Sequence, residues 1–315
     1  MKQFNIGLNL ETDLKELEDF FKNFSNIIKS VYFSVPLGKA FYSRMALEKE
    51  YENNSKKLQE VVCILKQNNI KAEVTFNTKL STEDVKRGIE CLNQLKIYPD
   101  EVVCLNSSVE ILREAYPEAY LISSFCNGIE NIDSSFDAVV LGQRYLRDLK
   151  GRHSYIDRGF DIILLLNNGC SFECTHKHCN NKVCTALYNE SAKKKSAEEI
   201  YAIQSFFPEE LFRLIQTDEY AGEYIYKISN RPMGIEYTKK VLEAYFMLKN
   251  SADYNLDVER ENYALFGALH QLCKRVELYD YERIKRIKEE LYQRRGIRCL
   301  FGSKALWNVY LTINE

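Results

Sequence analysis

Eight short apolar runs alternate along this 315-residue chain with amphipathic stretches of helical period. Strands of this kind, separated by helices, pair in parallel and are buried on both faces, and eight such units close into a (β/α)8 barrel. The sequence therefore predicts a barrel, with a doubly wound open sheet as the alternative because the connections 106–118 and 126–136 are short. The predicted strands are Phe4–Leu10, Val31–Val35, Ala72–Asn77, Glu101–Leu105, Ala119–Phe125, Asp137–Leu141, Asp161–Leu166 and Tyr224–Ile228.

The helical pattern divides the chain into two parts. Predicted barrel helices include Asp13–Ser30, Leu47–Asn69, a helix capped by Thr82 that runs to about Leu95, and the last one, Gly234–Leu248. Residues 1–249 therefore form the predicted barrel. Residues 250–315 are predicted to form a helical C-terminal extension that covers the barrel, or that pairs it with a second copy or an accessory protein.

A polar segment rich in cysteine and histidine follows the seventh predicted strand. It contains four of the ten cysteines and two of the four histidines of the chain: Cys170, Cys174, His176, His178, Cys179 and Cys184. Buried reduced thiols are the simplest alternative, but the intervening Glu, Lys and Asn residues are unsuited to a core. The segment is therefore predicted to bind a metal or a cluster through Cys170, Cys174, Cys179 and Cys184, with His176 or His178 as alternate ligands.

The cysteine spacing favours an iron–sulfur cluster over zinc. Structural zinc sites usually contain closely spaced cysteine pairs, C-x2-C, which this segment lacks. The spacing C-x3-C-x4-C-x4-C also differs from the C-x3-C-x2-C of radical S-adenosylmethionine enzymes. Wider, irregular spacing suits a [4Fe-4S] cluster, and zinc is the alternative.

In a barrel, the loops that follow the strands build the active site. The cysteine segment would then lie over the mouth, together with Arg144, Lys227 and Arg231. Such cations suit a carboxylate or phosphate of a substrate, although surface salt bridges are an equally simple explanation.

Composition narrows the possible functions. The formal net charge of −2 gives no reason to expect general binding to nucleic acid or anionic membranes. No apolar run approaches the eighteen residues of a membrane span, and the N-terminus lacks the pattern of a signal peptide. With ten cysteines, the chain is predicted to be cytoplasmic, where cysteines bind metals rather than form disulfides. No G-x-S-x-G motif suggests a serine hydrolase.

Several segments, in order over roughly residues 5–240, resemble the U32 family, which was named for collagenase-like peptidases. They are Val31-Tyr32-Phe33; Val74 to Thr78; Tyr120 to Ser124 with Asn127; Phe136 to Leu141 with Arg144; Asn168-Gly169-Cys170; and Tyr226-Lys227-Ile228 with Arg231. The family's Lys-Ile-Glu-Gly-Arg reads Lys227-Ile228-Ser229-Asn230-Arg231 here, without the carboxylate, and its cysteines are usually more widely spread.

The resemblance implies a barrel, a [4Fe-4S] cluster held by cysteines, and oxygen-independent hydroxylation of RNA bases or quinone precursors. Carried over residue by residue, it assigns the four cysteines to the cluster. It assigns Asn77, Asn127, Arg144, Lys227 and Arg231 to the substrate pocket.

Three functions are therefore open at this stage. The first is an iron–sulfur barrel enzyme acting on a small molecule or an RNA base. The second is a radical S-adenosylmethionine-like enzyme with altered cysteine spacing, and the third is a zinc-stabilised binding protein without catalysis.

Overall fold

Eight parallel strands close into a barrel in the order in which they occur along the chain. A computed structural model describes residues 3–38, 41, 54–127, 132–142, 145–167, 197–229, 234–250, 259–260, 263–266 and 280–294. Each strand pairs with the next, and the first pairs with the eighth. The predicted barrel is confirmed, and the open sheet is excluded because the outer strands are joined.

The strands are short and nearly all of their residues are buried. Their bounds are β1 Phe4–Gly7, β2 Ile28–Ser34, β3 Lys71–Phe76, β4 Glu101–Cys104, β5 Tyr120–Ser123, β6 Ala138–Leu141, β7 Asp161–Leu165 and β8 Ile225–Lys227. All eight predicted strands are present.

The described helices follow the strands around the barrel and continue into the C-terminal part. Their bounds are α1 Leu14–Phe24, α2 Ser55–Gln67, α3 Thr82–Gln94, α4 Val109–Ala115, α5 Leu149–Ile156, α6 Ala197–Gln204, α7 Pro208–Thr217, α8 Ile235–Asn250 and α9 Tyr281–Arg294. None of these described helices is both long and apolar enough to cross a membrane.

Two predicted helix boundaries are wrong. The first helix ends at Phe24 rather than Ser30, because Ile28 and Ser30 pair with β1. The cap of α3 is Ser81 rather than Thr82: Ser81 Oγ accepts the N–H of Asp84 at 3.1 Å. In both places a tertiary or capping contact sets the helix boundary at a residue that the apolar period does not mark.

Side chains of the strands form two separate apolar clusters. The larger one contains alternate strand residues, such as Val102, Val139 and Ile162, together with the apolar faces of the helices. The smaller cluster contains the intervening residues Val103, Ile122, Ala138, Val140, Ile163, Leu165 and Ile225. Because successive strand residues point to opposite faces, the smaller cluster lies inside the barrel.

Helix α3 approaches the sheet closely at Gly88, where a Cβ atom would lie 2.6 Å from the ring of Phe76.

A network of buried charges connects the C-terminal helix α9 to the barrel part. Glu210 at the start of α7 accepts from Arg147 at 2.7 Å and from Lys288 of α9 at 3.0 Å, and all three side chains are buried. Burial lowers the pKa of Lys288 to about 8, although Glu210 opposes the shift. Helix α9 therefore packs through buried polar contacts as well as through Ile284.

Candidate active site

Lys227 and Glu73 form an ion pair inside the barrel. Lys227 Nζ contacts Glu73 Oε1, and the second carboxylate oxygen of Glu73 accepts from Asn5 Nδ2 at 2.8 Å and from Ser30 Oγ at 2.9 Å. Glu73 is fully buried, and Lys227 is 7% exposed. The carboxylate therefore has donors on both oxygens and a cation beside it.

The strand order places this pair in the barrel interior. Glu73 belongs to β3, Asn5 to β1 and Lys227 to β8. The contact between Glu73 and Asn5 passes over β2, and the contact between Glu73 and Lys227 passes over β1 and β2. Side chains of strands that are not neighbours can meet in this way only across the interior. Lys227 is the last residue of β8, and it therefore lies toward the C-terminal mouth, where barrel enzymes have their active sites.

Tyr32 of β2 covers one side of the ammonium group. Lys227 Nζ lies 4.2 Å from the centre of the Tyr32 ring, and Tyr32 Oη donates to the carbonyl oxygen of Ile228 at 2.9 Å. The ring face is the electronegative part of an aromatic side chain, so it stabilises a cation placed over it. Lys227 is thus held between a carboxylate and a ring face.

The barrel interior has one polar wall and one apolar wall. Strands β1, β2, β3 and the end of β8 contribute Asn5, Ser30, Glu73 and Lys227. The smaller apolar cluster comes from β4 to β7 and from Ile225 at the start of β8. Near the mouth the polar wall continues with Ser34 and Thr75, whose hydroxyl oxygens lie 3.2 Å apart. A ligand entering from the mouth would therefore meet hydrogen-bonding groups on one side and aliphatic groups on the other.

A second buried ion pair lies at the opposite end of the strands. Glu101, the first residue of β4, accepts from Lys29 Nζ at 2.5 Å and from Lys71 Nζ at 3.3 Å. Residues at the N-terminal end of a barrel usually contribute to stability, whereas catalytic residues lie at the C-terminal end. The Lys29–Glu101 pair is therefore a structural counterpart of the Lys227–Glu73 pair.

Three of the predicted substrate-pocket residues are described, and all three lie at the C-terminal ends of strands. Lys227 ends β8, Asn77 follows β3 and Asn127 follows β5. The side chain of Asn127 connects two strand ends: its Oδ1 accepts from Asn106 N–H at 2.8 Å, and its Nδ2 donates to Ser123 Oγ at 2.8 Å. Asn127 thus has a structural role, and its contact with substrate stays a prediction. Arg144 and Arg231 lie outside the described residues.

The predicted ligands Cys170, Cys174, Cys179 and Cys184, with His176 and His178, also lie outside the described residues. The residue that precedes this segment in the chain, Asn167, contacts the end of the eighth strand. Asn167 follows β7, and its Oδ1 accepts the backbone N–H of Ser229 at 2.7 Å, two residues after Lys227. Asn167, the last described residue before the cysteine segment, therefore lies beside the end of β8. Among the residues that the structure does describe, no group of three or more acidic, histidine or cysteine side chains could hold a metal ion.

Sequence reasoning missed Glu73, Asn5, Ser30 and Tyr32 as site residues. Glu73 lies in the run Ala72-Glu73-Val74-Thr75-Phe76, where the other positions are apolar or β-branched. A charged residue at an inward position of such a strand is unusual, because charged side chains are almost never fully buried unless paired. That signal could have identified Glu73, but its partner on β8 is 154 residues away.

Comparison with known proteins does not assign this chain to a family. No family model matches the chain, and no curated protein matches it. Among solved structures, an uncharacterized conserved protein from Geobacillus kaustophilus is similar, with 12% identity, coverage of 78% of this chain and 98% of that one, and a TM-score of 0.37. Orotidine 5'-phosphate decarboxylase from Lactobacillus acidophilus has 9% identity, 80% and 100% coverage and a TM-score of 0.39.

A putative dehydratase from Mesorhizobium loti has 9% identity and a TM-score of 0.37, with 72% of this chain and 55% of that chain covered. This chain thus spans about half the length of the dehydratase. The assignment of the fold rests on the closed strand order of the chain itself.

Proposed function

We propose that the protein is an enzyme whose substrate binds at the C-terminal mouth of the barrel, against Lys227. The observation that carries this proposal is the buried Lys227–Glu73 pair. Removing an ion from water costs several kcal/mol, and apolar residues of similar volume often stabilise a protein equally well. Barrel interiors are usually filled by branched aliphatic residues. An ion pair at this place is therefore better explained by function than by stability.

We further propose that the cysteine segment holds a [4Fe-4S] cluster beside this site, as the U32 resemblance implies. The contact between Asn167 and Ser229 supports the proposal, since Asn167 precedes the segment in the chain and lies next to the end of β8. A cluster of this type supplies one-electron transfer when it is bound. The reaction class that the resemblance favours is oxygen-independent hydroxylation, or a related modification, of a small molecule or an RNA base.

The cluster can be tested by anaerobic purification followed by iron, sulfide and zinc analysis. Iron and sulfide in equal amounts are expected, with a loss of most of the iron when Cys170, Cys174 or Cys179 is replaced by serine, because thiolates are the ligands. Cys63 is exposed and lies far from the segment in sequence, so Cys63→Ser is the matched control and should keep its iron. Stoichiometric zinc without iron would refute the cluster and favour a zinc-stabilised binding protein. Binding of S-adenosylmethionine would instead favour the radical enzyme.

The position of the substrate can be tested independently of the metal. A panel of carboxylates, carbonyl compounds, phosphate esters and nucleosides would be screened by thermal shift. For any compound that binds, Lys227→Met is expected to raise Kd about tenfold or more, since a charged hydrogen bond contributes roughly 1.5–3 kcal/mol. Lys29→Met removes the partly buried lysine of the Glu101 pair at the opposite end of the barrel and should leave Kd unchanged. Equal effects of the two substitutions would contradict a site at the mouth.

A further inference from the structure

We propose that Lys227 acts as an amine nucleophile that forms a Schiff base with a carbonyl substrate, a small aldehyde or ketone, and that Glu73 is its proton partner. This inference rests on the proposed site at the mouth and names the class of substrate that the site takes.

The nucleophile is the neutral amine of Lys227, which forms when its proton passes to Glu73. The side chain of Glu73 is 0% exposed and that of Lys227 is 9% exposed, so water screens the pair little. In such surroundings charged forms lose most of their hydration. Passing one proton from the ammonium group to the carboxylate turns the ion pair into a neutral amine and a neutral acid. The amine then has the lone pair that attack on a carbonyl carbon requires.

The same contacts favour a carbonyl over a simple anion. The charge of Lys227 is already matched by Glu73 in direct contact, so the pair as a whole offers an anion little net attraction. A protonated imine at Nζ, by contrast, carries the same positive charge as the ammonium group it replaces. It would keep its pairing with Glu73 and its position over the Tyr32 ring, 4.2 Å away.

The reaction balances without any further reagent. Lys227 passes a proton to Glu73, and its nitrogen adds to the carbonyl carbon, which gives a carbinolamine after transfer of the nitrogen proton to the oxygen. Glu73 then returns its proton to the hydroxyl group, which leaves as water while the C=N bond forms. The products are a protonated imine, a Glu73 carboxylate and one water molecule, whose oxygen comes from the carbonyl.

The exposure of the interior residues shows the side from which Lys227 is accessible. Interior residues toward the C-terminal ends of the strands are slightly exposed to solvent: Tyr32 and Lys227 by 7%, Val140 by 5%, and Thr75 and Leu165 by 4%. Deeper interior residues such as Asn5, Glu73 and Ile163 have none. A carbonyl group must therefore reach Nζ from the side of the mouth.

Trapping by reduction tests the proposal. The full chain would be incubated with pyruvate or glycolaldehyde and sodium cyanoborohydride, and the adducts would be located by peptide mass spectrometry. Lys227 is expected to be modified with near one-to-one stoichiometry and at least tenfold faster than Lys29, which is more exposed (19%) and is also paired with a glutamate. Lactate has no carbonyl carbon at the ketone oxidation level and should give no adduct.

Two variants separate the roles of the two residues. Lys227→Arg keeps the cation beside Glu73, so the fold should be retained, as circular dichroism can verify, and the adduct should vanish. Glu73→Gln should slow trapping about 100-fold, in the range of general acid–base catalysis. An unchanged trapping rate in folded Glu73→Gln would overturn the role of Glu73.

Modification of exposed lysines with Lys227 left intact would overturn the Schiff base itself. The proposed site would survive that result if compounds from the screen still bound in a Lys227-dependent manner without reductant. Loss of both readouts would overturn the site as well, so the two proposals fail in distinguishable ways.

Discussion

Replacing Glu210 by glutamine is expected to lower the free energy of unfolding by about 3–5 kcal/mol. Glu210 accepts from Arg147 Nε at 2.9 Å and Nη2 at 2.7 Å, from Lys288 Nζ at 3.0 Å, and from the backbone N–H of Phe207 at 2.8 Å. A neutral amide would leave two buried cations without a counter-charge. Urea denaturation followed by circular dichroism measures the loss.

Two further variants test this explanation of the Glu210 effect. Glu282→Gln breaks an ion pair with Arg260 in which both side chains are about half exposed. It should change the unfolding free energy by less than about 1 kcal/mol. Adding Lys288→Met to Glu210→Gln removes one of the two uncompensated charges and should recover part of the loss. A double variant no more stable than Glu210→Gln alone would show that the charge of Lys288 is not the cause.

Replacing Asp218 by asparagine is expected to have an effect of similar size, about 3–5 kcal/mol at neutral pH. Asp218 Oδ2 accepts from Arg152 Nε and Nη2 at 3.0 and 2.7 Å and from Tyr224 Oη at 2.7 Å, while Oδ1 lies 3.0 Å from His153 Nε2. Both Asp218 and Arg152 are buried. Asparagine would leave the guanidinium group without its counter-charge, at the junction of β8 with α5 and α7.

The effect of Asp218→Asn should depend on pH. Burial alone would raise the pKa of Asp218, but Arg152, with His153 and Tyr224, more than offsets burial and holds the pKa below the ordinary value of 3.8. A carboxyl group with a lowered pKa in the folded state stabilises the protein above its unfolded pKa, and this contribution is lost as pH falls through the folded pKa.

The difference in unfolding free energy between the wild type and Asp218→Asn should therefore be largest above about pH 4 and shrink below it. Asp19→Asn, on the exposed side of α1, should stay within about 0.5 kcal/mol of the wild type at every pH. A constant difference for Asp218→Asn through the acid range would show that the carboxylate charge does not cause the stabilisation.

Much of the site's location was predictable, but its composition was not. Lys227 is predicted from its place near the end of a strand and from the Tyr226-Lys227-Ile228 resemblance, and the structure puts it at the mouth. Glu73, its partner, was not identified, because nothing in the sequence indicates which of the inward positions of β3 faces β8. The structure also places His153 Nε2 3.0 Å from the Oδ1 atom of Asp218, 65 residues away along the chain.

The sequence alone determined the number, order and parallel pairing of the strands. Apolar runs of strand length alternate with helical periods, and such units have few ways to bury both faces of a sheet. It also showed that a polar segment rich in cysteine follows the seventh strand. The tertiary structure decided which polar residues meet. Glu73 with Lys227, Glu210 with Lys288 and Asp218 with Arg152 are 154, 78 and 66 residues apart. The first contact depends on barrel closure and strand register, and the other two depend on how the helices pack against one another. Local sequence patterns encode neither.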